Sequence, residues 1–336
     1  MTAESTPGPL IELDGVEKVF TVRRRAGRLR RARHEVRAVD GLTFTVPRGE
    51  MVGYLGPNGA GKSTTVKMLT GILVPSGGRL RVAGLDPSRD RLRLARRIGV
   101  VLGQRTTLWW DLPLADSYDL VRRMYRIPPA VFRANLERCT ELLGLGPLLD
   151  VPVRQLSLGQ RMRGDLTAAL LHDPEVLYLD EPTIGLDVVS KATVRAFLRE
   201  INTERGTTVL LTTHDLTDIE QLCRRVMVID HGRLVFDGGL AGLRAAADGE
   251  RTLVVDLARA LPPLDVPGTR TVRTEGPRQW LAFPAGQSAA PLVADLAARY
   301  PLVDLSIREP DIETLIADLY AGRARPRPGD EAPATP

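Results

Sequence analysis

The sequence predicts an α/β fold with a parallel sheet and a smaller α+β appendage behind it. Three observations carry that expectation. The apolar run MVGYLG (51–56) passes through a Gly-rich stretch into the helical segment TTVKMLTGIL (64–73), the strand–loop–helix order of a parallel sheet. Two more short apolar runs, EVLYLDEP (175–182) and TTVLLTTH (207–214), read as buried strands of that sheet. Near 243–250 the composition shifts to AAADGE, which marks a boundary.

The other elements follow in order. LIELDGVEKVF (10–20) alternates apolar and polar residues, and AVDGLTFTVPRGE (38–50) reads as a second strand ending in a turn. Residues 113–150 are mostly helical, most clearly in YDLVRRMYRI and FRANLERCTELLGL. QLSLGQRMRGDLTAALLH (155–172), VRAFLREIN (194–202) and DLTDIEQLCRR read as further helices. VMVIDHGRLVFDG (226–238) reads as a hairpin turning at HG. These elements make one domain over 10–243, behind a flexible N-terminus at 1–9. Beyond the boundary, RTLVVDLA is a strand, TRTVRTEG and QWLAFPAG a hairpin, and APLVADLAARY a helix. LVDLSI is a strand and DIETLIADLYAG a helix, so 250–322 forms an accessory α+β domain. The Pro-rich end, 323–336, reads as a disordered tail.

Composition narrows the functional classes. With 336 residues the chain can bury a stable core and hold two domains. No apolar run approaches the roughly 18–20 residues that span a bilayer, and MTAESTPGPL has no secretory core. Cys139 and Cys223 stand far apart in no metal-ligand spacing, which points to a reducing cytosol rather than to disulfides or zinc. The net charge of +5 is local: residues 23–37 hold eight arginines and one glutamate, or +7, and leave −2 for the rest. This basic insert reads as a solvated segment or as one drawn to anionic lipid headgroups. No specific nucleic acid is expected, since no stacking aromatics are interleaved with the arginines.

GPNGAGKST (56–64) fits G-x-x-x-x-G-K-[ST] at Gly56, Gly61, Lys62 and Ser63, in its confirming strand–loop–helix context. Pro57, Asn58, Gly59 and Ala60 complete the loop, and Thr64 follows it. Glycines let backbone N–H groups wrap phosphate oxygens, and the helix N-terminus adds positive potential. Lys62 is expected on the β- and γ-phosphates and the Ser63 hydroxyl on Mg²⁺. The run at 175–182 carries Asp180 and Glu181 to the carboxyl edge of the sheet, where ligands of open α/β sheets bind. Asp180 suits the Mg²⁺ shell, and Glu181 suits a general base acting on water. Ser157 and Gln160 form an S-x-x-Q capping box. A capping box does not explain Gly159, which weakens the first helical turn unless something approaches the backbone there.

At this point the chain resembles the ATPase subunit of ABC transporters. Six motifs stand in that family's order: Walker A (56–64), the Q-loop residue Gln104, the signature LSLGQ (156–160), Walker B (175–181), the D-loop GLD (185–187) and the switch histidine His214. The resemblance covers roughly 10–240 and implies a P-loop NTPase core, an N-terminal antiparallel sheet and a helical subdomain at about 105–165. It implies two copies of the chain sandwiching two ATP molecules. Ser157, Gly159 and Gln160 of one copy would meet the γ-phosphate on the other's Walker A. Gln104 would sense Mg²⁺ and γ-phosphate, His214 would hydrogen-bond the γ-phosphate, and Asp187 would link the two sites while capping the next helix. Phe20 matches the family's adenine-stacking aromatic, with a strand-end core residue as the alternative. Leu158 departs from the usual signature glycine.

The closing stretch LSIREPDIETLIADLYAG resembles type-2 exporter ATPases, including the daunorubicin-resistance type. That implies an ATP-hydrolysing, energy-coupling subunit, peripheral on the inner face of the cell membrane, with a separately encoded permease. The alternative is a soluble ABC ATPase acting on ribosomes, DNA or cell division. The residues after Gln104 face the permease in this family, and there GQRTTLWWDLP sets Trp109 beside Trp110. On an extended segment one ring would anchor inward and the other face the partner.

Overall fold

A computed structural model describes residues 8–25, 31–102, 105–213, 215–246, 250–284 and 286–308, with backbone only at 22–25, 31–34, 216 and 244–246. The chain divides after Asp237 into two compact units.

The first unit runs β1 (Ile11–Arg25), β2 (Arg31–Val46), β3 (Met51–Leu55), α1 (Lys62–Leu69), β4 (Gly77–Val82), α2 (Arg91–Ala95) and β5 (Ile98–Leu102). It continues with α3 (Leu114–Tyr125), α4 (Pro129–Leu143), α5 (Leu158–Leu170), β6 (Val176–Asp180), α6 (Val188–Arg205), β7 (Thr208–Thr212) and α7 (Leu216–Leu222). β8 (Arg225–Asp230) and β9 (Arg233–Gly239) close it, joined at His231 and Gly232, whose φ values of 47° and 80° suit a tight hairpin turn.

Six strands form one sheet in the order β5-β6-β7-β3-β8-β9. The pairs β5–β6, β6–β7, β7–β3 and β3–β8 are parallel. Every residue of β3 and β7 is buried, as the apolar runs require of strands covered on both faces. A second sheet, β2-β1-β4, is antiparallel. Val16, Leu42 and Phe44 from it join Val66 and Leu69 of α1 and Tyr54, Leu210 and Met227 of the large sheet in one core. That core clamps α1, and so fixes the loop in front of it.

The segment between 20 and 38 differs from the sequence expectation. The strands do not stop at a basic insert; they run through most of it, pairing Thr21 with Glu35, Arg23 with Arg33 and Arg25 with Arg31. β4 accompanies β1 only from Ile11 to Glu17, so beyond it β1 and β2 form a two-stranded ribbon. Val19, Thr21, Val22 and Val36 are β-branched, and their preference for extended backbone outweighs the charge.

The second unit contains α8 (Leu240–Ala246), β10 (Glu250–Leu257), β11 (Arg270–Glu275), β12 (Arg278–Pro284), α9 (Ala289–Arg299) and β13 (Leu302–Arg308). Its four-stranded sheet, β11-β12-β10-β13, is antiparallel throughout. Leu292 and Leu296 of α9 pack on Leu253, Val255, Leu281 and Phe283. The fully buried Gln279 donates to Leu261 O and Pro262 O and accepts from Leu264 N–H, tying the long loop before β11 to the sheet. The segments DIETLIADLYAG and 323–336 lie outside the described residues. Among the described residues no helix is long and apolar enough to cross a membrane.

Candidate functional site

The loop between β3 and α1 is shaped by its glycines. A Cβ on Gly56 would stand 2.5 Å from Ile229 O, and one on Gly61 2.5 Å from Ala38 O, so neither position admits a side chain. Gly59 has φ 86° with nothing within 4 Å of its Cβ position, so it faces open space. Ala60 turns the other way: it is buried, its N–H donates to Pro57 O at 3.1 Å, and its carbonyl accepts from Gly232 N–H at 2.9 Å. α1 starts at Lys62 with no side-chain cap, leaving its first N–H groups available to an anion. Lys62 is buried, and its ammonium donates to Gly56 O and, at 3.2 Å, to Pro57 O. Burial lowers its pKa, opposed by the charges of Glu181 and Asp180.

The ends of β6 and β7 form the facing wall. Thr212 is the joint: its carbonyl accepts from Glu181 N–H at 2.8 Å, and its hydroxyl donates to Asp180 Oδ1 at 2.5 Å. Glu181 has φ 56°, a left-handed conformation that is strained for a residue with a Cβ. Between the walls lies a cleft of about 610 Å³ that includes Pro57, Asn58, Gly59, Gly61, Lys62, Ser63, Thr64, Asp180 and Glu181 in its lining. That volume lies within the few-hundred to roughly 1,000 Å³ range of small-molecule sites. Lys67 and Arg105, which sequence reasoning did not single out, add two cations to the same lining. Arg105 directly follows Gln104, and that adjacency was its only signal. The cleft therefore offers backbone N–H groups and cations to phosphates, and a hydroxyl with two carboxylates to a hard cation. Ser63 and Asp180 are oxygen donors of the kind Mg²⁺ takes alongside phosphate and water. Among the described residues no His, Cys, Asp and Glu cluster suits a fully protein-held metal.

The remaining expected residues distribute unevenly. Gln104 and His214 lie outside the described residues. Phe20 is half-buried, pairs with Val36, and has the Lys18 ammonium 5.2 Å from its ring centroid. It is absent from the cleft lining, where Ala38 of β2 stands instead. Ser157 and Gln160 form the expected capping box, with Gln160 N–H donating to Ser157 Oγ at 3.2 Å and Ser157 N–H to Gln160 Oε1 at 2.8 Å. The close approach at Gly159 is made by this chain's own Ser190, whose Oγ would stand 2.6 Å from an added Cβ. Ser190 in turn donates through N–H and Oγ to Asp187 at 2.9 and 2.6 Å, so Asp187 caps α6. These bonds hold the Asp187 carboxyl below the usual carboxylate range. Leu158, the departure from the usual glycine, reaches Gly185: its Cδ2 is 2.9 Å from that residue's Cβ position. The signature turn and the D-loop are thus clasped together within one chain, and neither enters the cleft lining.

Both tryptophans face outward, contrary to the expectation of one in and one out. Trp109 is 37 % and Trp110 50 % exposed. Leu112 N–H donates to Trp109 O, so the segment turns and the alternation of an extended strand is lost. The inward anchor is Leu108. Arg161 of α5 lies 5.4 Å from the Trp110 ring, and Arg154 pairs with Asp111 at 2.6 Å. The buried Asp165 of α5 accepts from Thr106 Oγ1, Thr107 N–H and Thr107 Oγ1. The tryptophan segment is therefore fastened to the signature helix. Burial pushes the thiol pKa up to about 11 at Cys139 and about 12 at Cys223, so neither is a thiolate near neutrality.

Comparison with known proteins agrees with this geometry. The profile of the ABC transporter family matches residues 39–184. A daunorubicin resistance ATP-binding protein of Streptomyces coeruleorubidus is 38 % identical over 312 residues, covering 88 % of this chain and 93 % of that protein. A daunorubicin/doxorubicin resistance ATP-binding protein of Streptomyces peucetius is 34 % identical, covering 93 % and 99 %. A Nod factor export ATP-binding protein of Ralstonia nicotianae is 38 % identical over 71 % of each chain. Among solved structures, an ATP-binding subunit of an ABC transporter superposes with a TM-score of 0.61 at 25 % identity, covering 70 % of this chain and 92 % of that one. A dimeric ATP-binding cassette in a post-hydrolysis state, bound to ADP and Pi, gives a TM-score of 0.59 at 25 % identity over 68 % and 98 %.

Proposed function

This chain belongs to the ATP-binding proteins of the ABC transporter family and is an ATPase of the exporter branch, and from that premise we propose how its cleft, its partners and its site residues work. ATP lies along the loop 56–61, its phosphates on backbone N–H groups and on Lys62. Lys62 leaves its own loop carbonyls to do so. Ser63 and Asp180 would hold Mg²⁺, which would supply charge neutralisation to the phosphates. Glu181 orients and polarises the attacking water. Gln104 and His214 read the γ-phosphate. The observation that carries this reading is the convergence of Lys62, Ser63, Asp180 and Glu181 on one cleft from two strand ends.

Because the signature corner is absent from that lining, a second copy of the chain completes the site. Ser157, Gly159, Gln160 and Asp187 then meet the partner's nucleotide. One structural neighbour is a cassette dimer with ADP and Pi, which supports this assembly. A separate membrane permease docks on the exposed Trp109–Trp110 turn, so the ATPase sits at the cytoplasmic face of the membrane. Relatives named for drug resistance and Nod factor export support an exporter. The ribbon's register sets Arg23 against Arg33 and Arg25 against Arg31. The run 23–37 carries eight arginines against one glutamate, a charge that anionic headgroups would attract. Sedimentation with anionic but not zwitterionic vesicles is expected, and equal recovery with both would remove the lipid contact.

The central test is Glu181→Gln. It should bind ATP normally, lose turnover by roughly 100-fold or more and accumulate an ATP-bound dimer by light scattering. Turnover near wild type would refute the assignment of the base.

A further inference from the structure

The chemistry of the cleft depends on two strand ends: β6, which delivers Asp180 and Glu181, and β7, which leads to His214. A buried carboxylate outside the cleft grips the segments that follow both. The Asp218 side chain, on α7, is 0 % exposed. Arg195 of α6 donates to its Oδ1 through Nε at 2.5 Å, and the guanidinium Nη2 completes the ion pair at 2.5 Å. Its Oδ2 accepts from the Thr183 hydroxyl and, at 3.4 Å, from the Thr213 hydroxyl. Thr183 stands two residues after Glu181, and Thr213 directly precedes His214. The residue after His214 is held from the same helix: Asp215 pairs with Lys191 at 2.5 Å and with Arg195 at 3.5 Å. Asp215 N–H also donates to Thr213 Oγ1 at 2.9 Å. Both neighbours of His214 and the turn behind Glu181 are therefore tied to one ion pair.

This arrangement has a reason beyond packing. An ionised carboxylate is costly to bury unless paired and hydrogen-bonded, and both Asp218 oxygens are engaged. The left-handed backbone of Glu181 persists only where its surroundings over-determine it. The Thr208 hydroxyl, which accepts from Gly49 N–H at 2.7 Å, lies at the opposite end of β7 and cannot do this. The hydrogen bond from Ile184 N–H to Glu181 O, at 3.3 Å, closes the turn locally without aiming it. The tie from Thr183 to Asp218 connects that turn to the rest of the fold.

We infer that the Asp218–Arg195 pair, acting through Thr183 and Thr213, is a positioning device that holds the turn carrying Glu181 against the end of β7 for hydrolysis. It touches no substrate, and it rests on the reading of Glu181 as the base. The device governs turnover and leaves nucleotide affinity to the loop at 56–61.

The test is steady-state ATPase kinetics of the full chain with Mg²⁺-ATP. Thr183→Val removes one hydroxyl and leaves the ion pair intact; Thr183→Ser keeps the donor. Asp218→Asn keeps the shape and removes the charge. The expected result is a kcat roughly tenfold lower in Thr183→Val and lower again in Asp218→Asn, in line with the sensitivity of catalysis to small misplacements. KM for ATP should stay within about twofold, and Thr183→Ser should turn over like wild type. A wild-type kcat in folded Thr183→Val would overturn the inference, as would a loss carried by KM alone. Should Asp218→Asn fail to fold, the Val and Ser pair at position 183 decides. Glu181→Gln, run alongside, separates the two claims: activity there refutes the base, whatever position 183 shows.

Discussion

The phosphate loop and the signature corner are built by opposite means. The loop, 56–61, is a backbone structure: its glycines leave no room for side chains at two positions and open space at a third. The corner, 157–160 against 185–190, is a side-chain structure, in which Ser190 presses on Gly159, caps onto Asp187, and Leu158 lies on Gly185. The loop already lines a cleft with its acids opposite. The corner lines none, and beside it Val188 and Val189 are 83 % and 75 % exposed. One half is preorganised for its ligand within the chain. The other is a stiff, partly apolar edge that suits contact with a second surface.

Substitutions can break this contrast, and the largest effect belongs to the loop. Gly61→Ala places a Cβ against Ala38 O and forces a left-handed alanine, so ATP binding should fall by about 100-fold or more, the range lost when preorganised donors are removed. Equilibrium binding of ATP to the isolated chain measures it. Gly159→Ala should leave that binding unchanged, since the corner does not line the cleft. It should displace Ser190 and lower ATPase turnover by roughly tenfold through weaker dimer closure. If the two alanines lose ATP binding equally, the contrast between loop and corner is wrong. Trp110→Ala should cost least: the ring is half exposed, so the melting temperature should move little, by the equivalent of about 0.5 kcal/mol or less. Its effect should appear in recovery of a polytopic membrane protein on co-purification. Unchanged recovery in both Trp109→Ala and Trp110→Ala would remove that turn from the docking surface.

Much of the large sheet was legible because its signals are local. β3, β6 and β7 are short apolar runs, and each is followed by residues with chemistry. β5, IGVVL, carries the same signal and could have been found by the same criterion. β4 could not: its GGRLRV opens on two glycines, and its strand partner is β1, from Glu17 opposite Gly77 to Ile11 opposite Val82, far back in the chain. The basic stretch reads as an insert because its charge obscures the β-branched residues around it, which extend both strands. The tryptophan pair misled because a turn, not a strand, carries it.

The sequence by itself determined the glycine-shaped loop, the paired acids and the order of motifs, because each depends on contiguous residues whose backbone chemistry is short-range. Only the tertiary structure decided what stands against Gly159, which way the two indoles face, and that Asp218 joins Thr183 to Arg195 across 35 and 23 positions. Those contacts are between residues far apart in the chain. Their partners are chosen by how helices and strand ends pack, and packing has no signature in any single stretch of sequence.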